Sequence, residues 1–262
     1  MKKQHLIQVK EKIKIKTKNK EYIIEANTPT EDFYHELYGE ITGAPNIMLG
    51  YLSLIRVIDV DAQIGCTIYP TYERYGSYGI RGSGSCTWDS DYDPSHIWIA
   101  REPLVPREKY YFVTLLPSGI TVPRGSPLNV TWEATFNVTK LSASGWLADA
   151  TIHPTELIDQ LINILINNRG TLSLKAQRTI IKGRVGEDFD YTFIDIAPNL
   201  DPVNLRIILP LTTITATGDI LRMTLYSRTT DNTYKELLLF TLPSPYPVRY
   251  GDKVGFEIAL SW

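Results

Sequence analysis

The feature that most constrains this chain is the recurrence of short apolar runs rich in isoleucine, valine, threonine and tyrosine, separated by proline, glycine, asparagine and aspartate. β-branched and aromatic residues favour extended backbone, and the separating residues are those that form turns. The pattern predicts many short strands and few helices. We expect strands near residues 7–16, 20–26, 50–60, 64–69, 109–116, 128–139, 171–182, 189–196, 203–215, 219–227, 234–241 and 253–262.

Two segments depart from the strand pattern. After Pro154, apolar residues recur at helical spacing over 157–165, and Gly170 closes the segment. Thr30 is followed by two carboxylates and predicts a second, shorter helix, because a hydroxyl and negative charge stabilise a helix amino terminus. Strands still far outnumber helices, so the sequence predicts an all-β fold.

An internal echo indicates a duplication. The pattern LPS, three residues, Val, two residues, Gly occurs twice, and matching residues are 126 positions apart. The copies are Leu116, Pro117, Ser118, Val122 and Gly125, and Leu242, Pro243, Ser244, Val248 and Gly251. A second match, of 67–69 with 224–226, has a different offset and predicts 31 additional residues in the first copy, inserted between residues 70 and 109.

These patterns predict two tandem antiparallel β-sandwiches joined through one connecting helix. The predicted divisions are a basic arm or edge strand at 1–20, a first sandwich at 10–141 with the inserted loop 70–109, a connector at 142–170 and a second sandwich at 171–262. A jelly-roll-like topology fits this organisation, although the sequence leaves the strand order open between jelly-roll and immunoglobulin-like sandwiches.

Charge is unevenly placed along the chain. Residues 1–20 carry eight lysines and one glutamate, so the arm has a net charge of +7 and the rest of the chain −9. Lysines alternate with isoleucines over residues 12–16, which is the period of a strand. The lysines suit either an edge strand, where their charge prevents association with another edge, or an arm that contacts nucleic acid or an acidic neighbour. The residues expected to make that contact are Lys12, Lys14, Lys16, Lys18 and Lys20.

The segment 70–98 interleaves aromatic residues with glycine, serine and aspartate. This composition is typical of recognition loops, in which aromatic rings supply rigid contact area. The residues expected to make contacts are Tyr72, Tyr75, Tyr78, Trp88, Tyr92 and Trp98. Two interpretations remain open: the rings bind a glycan or receptor, or they pack against the sandwich or a neighbouring subunit.

Patterns for metals and cofactors are weak. Asp89, Asp91 and Asp93 alternate and are weak calcium candidates, but Pro94 and Ala100 occupy the positions where an EF-hand needs glycine and glutamate. The four histidines are scattered without zinc-ligand spacing. The glycine-serine run at 82–85 reads as a flexible spacer, since it lacks the lysine of a phosphate-binding loop. We therefore expect no cofactor and no metal.

Cys66 and Cys86 are 20 positions apart, and they are either joined in a disulfide or present as free buried thiols.

No stretch is apolar enough to span a membrane, and the amino terminus lacks the apolar segment of a signal peptide. No nucleophile motif is present, so we expect no enzyme, with a β-sandwich hydrolase as the least favoured alternative. The lysine- and isoleucine-rich composition leans toward a thermophilic source.

The basic arm, the threonine- and tyrosine-rich strands, the long insertion and the end of the chain within its last predicted strand at Trp262 together resemble viral structural proteins. The resemblance is one of architecture and involves no specific motif. It implies a capsid or capsid-associated subunit, made in the cytoplasm and located in the virion. Its expected partners are copies of itself, other virion proteins, and the genome or a host-surface glycan. The alternative is a glycan- or receptor-binding β-sandwich module.

Overall fold

The computed structural model describes residues 5–101, 109–139, 142–166 and 173–260 of the chain. Strands predominate in these residues, all paired strands are antiparallel, and two α-helices accompany them. The predicted all-β, sandwich-like class is confirmed. No helix in the described ranges is long and apolar enough to cross a membrane.

The first half contains helix α1 (Glu31–Ile41) and nine strands. The strands are β1 (Ile7–Lys16), β2 (Glu21–Ala26), β3 (Leu52–Asp59), β4 (Ile64–Ile68), β5 (Thr71–Tyr75), β6 (Gly79–Trp88), β7 (His96–Arg101), β8 (Lys109–Leu115) and β9 (Ser126–Val138). Sheet A has the order β2-β1-β9-β6-β5, and sheet B has the order β4-β3-β7-β8.

The second half contains helix α2 (Leu157–Leu165), a single 3₁₀ turn (Gly145–Leu147) and nine further strands. The strands are β10 (Ser142–Ala143), β11 (Thr151–Pro154), β12 (Arg178–Val185), β13 (Asp188–Ile196), β14 (Asn199–Asp201), β15 (Arg206–Thr213), β16 (Gly218–Arg228), β17 (Tyr234–Val248) and β18 (Lys253–Ala259). Sheet C has the order β10-β18-β15-β14, and sheet D has the order β11-β17-β16-β12-β13.

The two halves share one strand order. When β3 to β9 are matched in turn with β12 to β18, sheet B corresponds to the β13-β12-β16-β17 part of sheet D. The β1-β9-β6-β5 part of sheet A likewise corresponds to sheet C. Before each helix the chain pairs with one of two equivalent strands: Pro29 pairs with Phe112 of β8, and β11 pairs with β17. Helix α2 is therefore the counterpart of α1.

The sequence echo falls at equivalent places in this repeat. One copy connects β8 to β9 and the other forms the end of β17 and its turn into β18. Val122 and Val248 are each 3% exposed. Gly125 and Gly251 have φ angles of 76° and 91°, which glycine adopts without the steric cost that a Cβ would add. In each copy of the echo, the valine is buried and the glycine forms a left-handed turn where the chain passes between the two sheets.

Two other expectations change. The segment 142–170, expected to be a connector, supplies β10 and β11 to the sheets of the second half. The segment 70–109 is not an inserted loop, because it contains β5, β6 and β7, the counterparts of β14, β15 and β16; its residues 102–108 lie outside the described ranges. The match of 67–69 with 224–226 was misleading, since β4 corresponds to β13.

The strand order answers the question of topology that the sequence left open. Consecutive strands form hairpins within one sheet before the chain crosses to the other, as in β3-β4, β5-β6 and β7-β8. This is closer to the immunoglobulin-like alternative, whose sheets also contain such hairpins, than to a jelly roll. The last strand of each half then enters the opposite sheet, where β9 lies between β1 and β6.

Strand β1 lies inside sheet A rather than at its edge. Its residues alternate between buried and exposed, with Ile7, Val9, Ile13 and Ile15 in the core. The edge position is taken by β2, so the edge-strand interpretation of residues 7–16 is wrong. A charged face does not need an edge, because the alternation of a strand also places lysines on the outer face of an interior strand.

Candidate binding groove on the first sandwich

The outer face of sheet A carries a row of charges that crosses all five strands. Directly paired residues place Glu25 of β2, Lys12 of β1, Glu133 of β9, Arg81 of β6 and Glu73 of β5 side by side. The signs alternate along this row. Opposite charges on directly opposed strands each stabilise a sheet modestly, so the row fixes these side chains on the surface.

Arg81, Glu133 and Tyr75 form a rigid unit within the row. The Nε and Nη2 atoms of Arg81 both lie 2.8 Å from Oε1 of Glu133. The guanidinium carbon lies 4.0 Å from the centre of the Tyr75 ring. The hydrogen bonds to Glu133 raise the pKa of Arg81 above its ordinary value. The ring of Tyr75 is 37% exposed and is held in place by a cation on one side.

Three adjoining depressions meet at Tyr75, with volumes of about 350, 160 and 700 Å³. We call them together the Tyr75 groove. The residues that line it include Lys10, Lys12, Lys14, Glu25, Tyr75, Tyr78, Glu133 and Thr135. The groove therefore brings together residues from the lysine set and from the aromatic set that the sequence indicated separately.

The lysines of β1 differ in their partners. Lys14 lies 3.0 Å from Glu21. Within the described ranges, Lys10, Lys12 and Lys16 take part in no ion pair, although Lys12 faces two glutamates across the strands. Lys18 and Lys20 are exposed in the turn after β1, away from the row. The free cations of this face are therefore concentrated along β1 beside the groove.

Of the other predicted aromatic contacts, Trp88 is fully buried and its indole N–H donates to the carbonyl of Tyr92 at 2.9 Å. Tyr92 is 60% exposed in the turn after β6. Trp98 lies on β7 with its ring centre 4.4 Å from that of Tyr110. These residues belong to different faces, so the six aromatic residues do not form one contact loop.

The glycines of the run at 82–85 leave room for large neighbouring side chains, one of which is Tyr72. The ring of Tyr72 points into the core and lies over Gly82, where a Cβ would come within 2.5 Å of the ring. Gly84 makes similar room for Ile68, whose side chain a Cβ would approach to 2.4 Å. The prediction of a flexible spacer is therefore wrong. The run is part of strand β6, and its glycines admit large side chains against the backbone.

The three aspartates after β6 are bound to protein groups. Arg124 contacts Asp89 at 2.9 Å and Asp91 at 3.4 Å, and Asp93 accepts the N–H of Val122 at 3.2 Å. They tie this turn to the loop between β8 and β9. No group of three or more metal-binding side chains is present among the residues that the structure describes.

Cys66 of β4 and Cys86 of β6 form a disulfide, with their Cα atoms 6.0 Å apart. Of the two alternatives, the bridge is confirmed. Because β4 belongs to sheet B and β6 to sheet A, the bond joins the two sheets of the first half. It closes a loop of 20 residues and restricts the unfolded chain.

One serine-histidine contact bears on the hydrolase alternative. The Ser95 hydroxyl lies 2.9 Å from Nδ1 of His96, but it also accepts the N–H of Val60 at 3.0 Å. These bonds fasten the start of β7 to the end of β3. The hydroxyl is thus engaged in holding two strands together.

Sequence reasoning missed three residues that line the groove, Lys10, Glu25 and Glu133, and also Arg81, which contacts the ring of Tyr75. Each occupies an alternate, polar position of a strand, which was the available signal. It could not be interpreted without the register, because only the pairing of β2, β1, β9, β6 and β5 reveals that the charges share one row.

Comparisons with known proteins give no match: no family model, no curated protein and no solved structure matches the chain. The candidate site therefore stands on its own geometry.

Proposed function

We propose that this chain is a structural subunit of a virion, in the capsid or associated with it, and that it assembles with copies of itself and other virion proteins. The observation that carries the proposal is the repeat of one strand order in two halves, which gives a doubled sandwich with several open sheet edges. Such edges are available for pairing and must be covered by neighbours or protected. The cross-sheet disulfide suits a protein that works in oxidising surroundings outside a cell.

The surface proposed for assembly is the side of the second half formed by the edge strands β13 and β14. Phe189 on β13 is 61% exposed, and Val203, in the turn that joins β14 to β15, is 88% exposed. Leu211 on the neighbouring strand β15 is 73% exposed. Large apolar side chains beside unpaired strand edges favour contact with another protein surface. The proposed occupant is a second copy of the chain.

Electron microscopy and size-exclusion chromatography of the purified protein test this function. The expected result is rings or larger closed bodies. Phe189→Ser combined with Val203→Ser should shift the population toward monomer, whereas Tyr69→Ser should not, although Tyr69 is 76% exposed on the first half. A wild-type protein that stays monomeric at every concentration would contradict the proposal.

A second candidate function is a glycan- or receptor-binding module. The specific observation in its favour is the Tyr75 groove, where an exposed ring lies beside lysines that have no ion-pair partner in the described ranges. This function and assembly are separable, because the groove lies on sheet A and the proposed assembly surface lies on sheets C and D.

A further inference from the structure

At the Tyr75 groove the first half differs from its repeat. In the described residues of the corresponding sheet C, the position of the ten-residue β1 is taken by the two-residue strand β10. The outer face of sheet C carries the pair Arg206 and Glu257, 2.9 Å apart, and no counterpart of the lysine row is present among its described residues. The repeated fold therefore does not require the lysines of β1, and their presence calls for a separate explanation.

The charges on the outer face of sheet A indicate which ligands the groove can accommodate. Four lysines and Arg81 share the outer face with four glutamates, Glu21, Glu25, Glu73 and Glu133, so basic exceed acidic side chains by one. A polymer with a phosphate on every unit gains from lysines but is repelled by the interleaved carboxylates. A ligand with few negative charges and many hydroxyl groups fits better, because carboxylates accept hydrogen bonds from hydroxyls.

The aromatic ring indicates the rest of the ligand. Arg81 holds one side of Tyr75 at 4.0 Å and leaves part of the ring exposed to the groove. A pre-positioned ring offers contact area to the apolar face of a sugar at low entropic cost. The depression that contains Lys10, Lys12, Glu25 and Tyr75 has a volume of about 350 Å³, which is within the range of small-ligand sites.

We propose that the Tyr75 groove binds an oligosaccharide that carries a carboxylate, with a sugar ring against Tyr75 and the carboxylate at Lys10 and Lys12. The glutamates Glu25 and Glu133 accept hydrogen bonds from sugar hydroxyls. This inference rests on the second candidate function, glycan binding, and names the class of glycan. It does not depend on assembly of the virion.

Calorimetric titration of the full chain tests the proposal with sialyllactose and with lactose, its neutral counterpart. Sialyllactose should bind more tightly, and its affinity should fall as salt is added. Lys12→Glu or Lys10→Glu should weaken binding by about tenfold or more, and Tyr75→Ala should weaken both sugars. The matched controls are Lys253→Glu and Tyr250→Ala on the second half, which should leave binding unchanged.

Three other results of this titration would overturn the inference in whole or in part. Equal affinity for lactose and sialyllactose, lost in Tyr75→Ala, would overturn the acidic specificity and leave glycan binding in place. Absence of binding by both sugars would overturn the inference and the glycan function together, while electron microscopy decides assembly independently. Preferential binding of a single-stranded oligonucleotide, lost in Lys12→Glu, would overturn the inference in favour of a genome contact.

Discussion

The two halves hold equivalent helices to their sheets by different chemistry. In α1, Glu36 is 2% exposed, and its carboxylate lies 3.0 Å from Arg101 and 2.7 Å from Lys109. The hydroxyl of Tyr111 donates to the same carboxylate and accepts the N–H of Gly50 at 2.8 Å. The first helix is thus anchored by a buried ionic cluster.

No equivalent of this cluster is present in the described residues of the second half. Ser227 pairs with Lys235 as Arg101 pairs with Lys109, so a serine takes the place of the arginine. On α2, Gln160 is 1% exposed, and in the described part of the chain neither polar atom of its amide has a hydrogen-bond partner. The helix is held instead by the buried apolar residues Leu157, Ile158, Leu161, Ile162 and Leu165.

The difference shows that this fold needs an apolar stripe of the helix packed on the sheet. It tolerates either an ionic cluster or a neutral amide as the buried polar group of that helix. A buried ionic cluster is costly to break, because removal of one partner leaves other charges without compensation. A buried amide without partners is itself a cost. Equivalent substitutions in the two helices should therefore have effects of opposite sign.

The largest expected effect is at Glu36. Glu36→Gln should lower the free energy of unfolding by roughly 3 kcal/mol, because it removes the charge that pairs with Arg101 in a site where the arginine side chain is only 16% exposed. Urea-induced unfolding measures the change. Glu257→Gln, which removes an exposed pair with Arg206, is the control and should change stability little. A loss at Glu36 no larger than in the control would show that the cluster is not an anchor.

The second effect concerns the disulfide, which only the first half contains. Replacement of both Cys66 and Cys86 by serine should cost about 3 kcal/mol of unfolding free energy, since the unfolded chain regains the entropy of a 20-residue loop. Thermal unfolding with and without a reducing agent provides the measurement. Reducing agent should lower the midpoint of the wild type and leave the double variant unchanged. If the reducing agent lowered the unfolding midpoint of both proteins equally, the change would not come from this disulfide.

The third effect has the opposite sign. Gln160→Leu should stabilise the protein by about 1 kcal/mol, because it removes a buried amide without partners and adds an apolar side chain to the stripe of α2. Glu36→Leu, which likewise replaces a buried polar residue of the helix in the first half, should destabilise it. Chemical unfolding of both variants reports the two signs. Destabilisation by Gln160→Leu would imply that an internal water bonds the amide.

The all-β class, the helix after Pro154 and most long strands could be predicted from sequence, because alternation and helical spacing are local signals. The residues predicted at 7–16 coincide with β1, since its isoleucines and lysines alternate without interruption. Strand β6 was missed because its glycines and serines resemble a spacer. Their purpose is visible only when Tyr72 is seen to lie against Gly82.

The groove was only half predictable for a similar reason. Lysine alternation identified one side of it and aromatic content identified Tyr75 and Tyr78. The position of Glu133 next to Lys12 and Arg81 depends on pairings between residues that are 121 and 52 positions apart in sequence. Non-local register of this kind leaves no local pattern. The echo at 116–125 was informative because a turn and a buried valine are local requirements.

The smallest expected effect compares exposed ion pairs of the two halves across pH. Arg178 lowers the pKa of Asp195 through two hydrogen bonds, at 2.7 and 2.5 Å. A carboxyl whose pKa is depressed by folding stabilises the protein above its unfolded pKa, about 3.9, and the contribution is lost as pH falls through the lower folded value. Because Asp195 is 39% exposed, screening limits this contribution to less than about 1 kcal/mol at neutral pH.

Asp195→Asn should therefore be slightly less stable than wild type at neutral pH, and the difference should disappear as the pH falls through the lowered pKa of Asp195. The variant chosen for comparison in the first half is Asp89→Asn, which removes a pair with Arg124 in which the aspartate is 75% exposed, and it should produce no measurable change. Unfolding curves at a series of pH values resolve both. A pH-independent loss in Asp195→Asn would assign its role to packing rather than charge, and the ion pairs would then not distinguish the two halves.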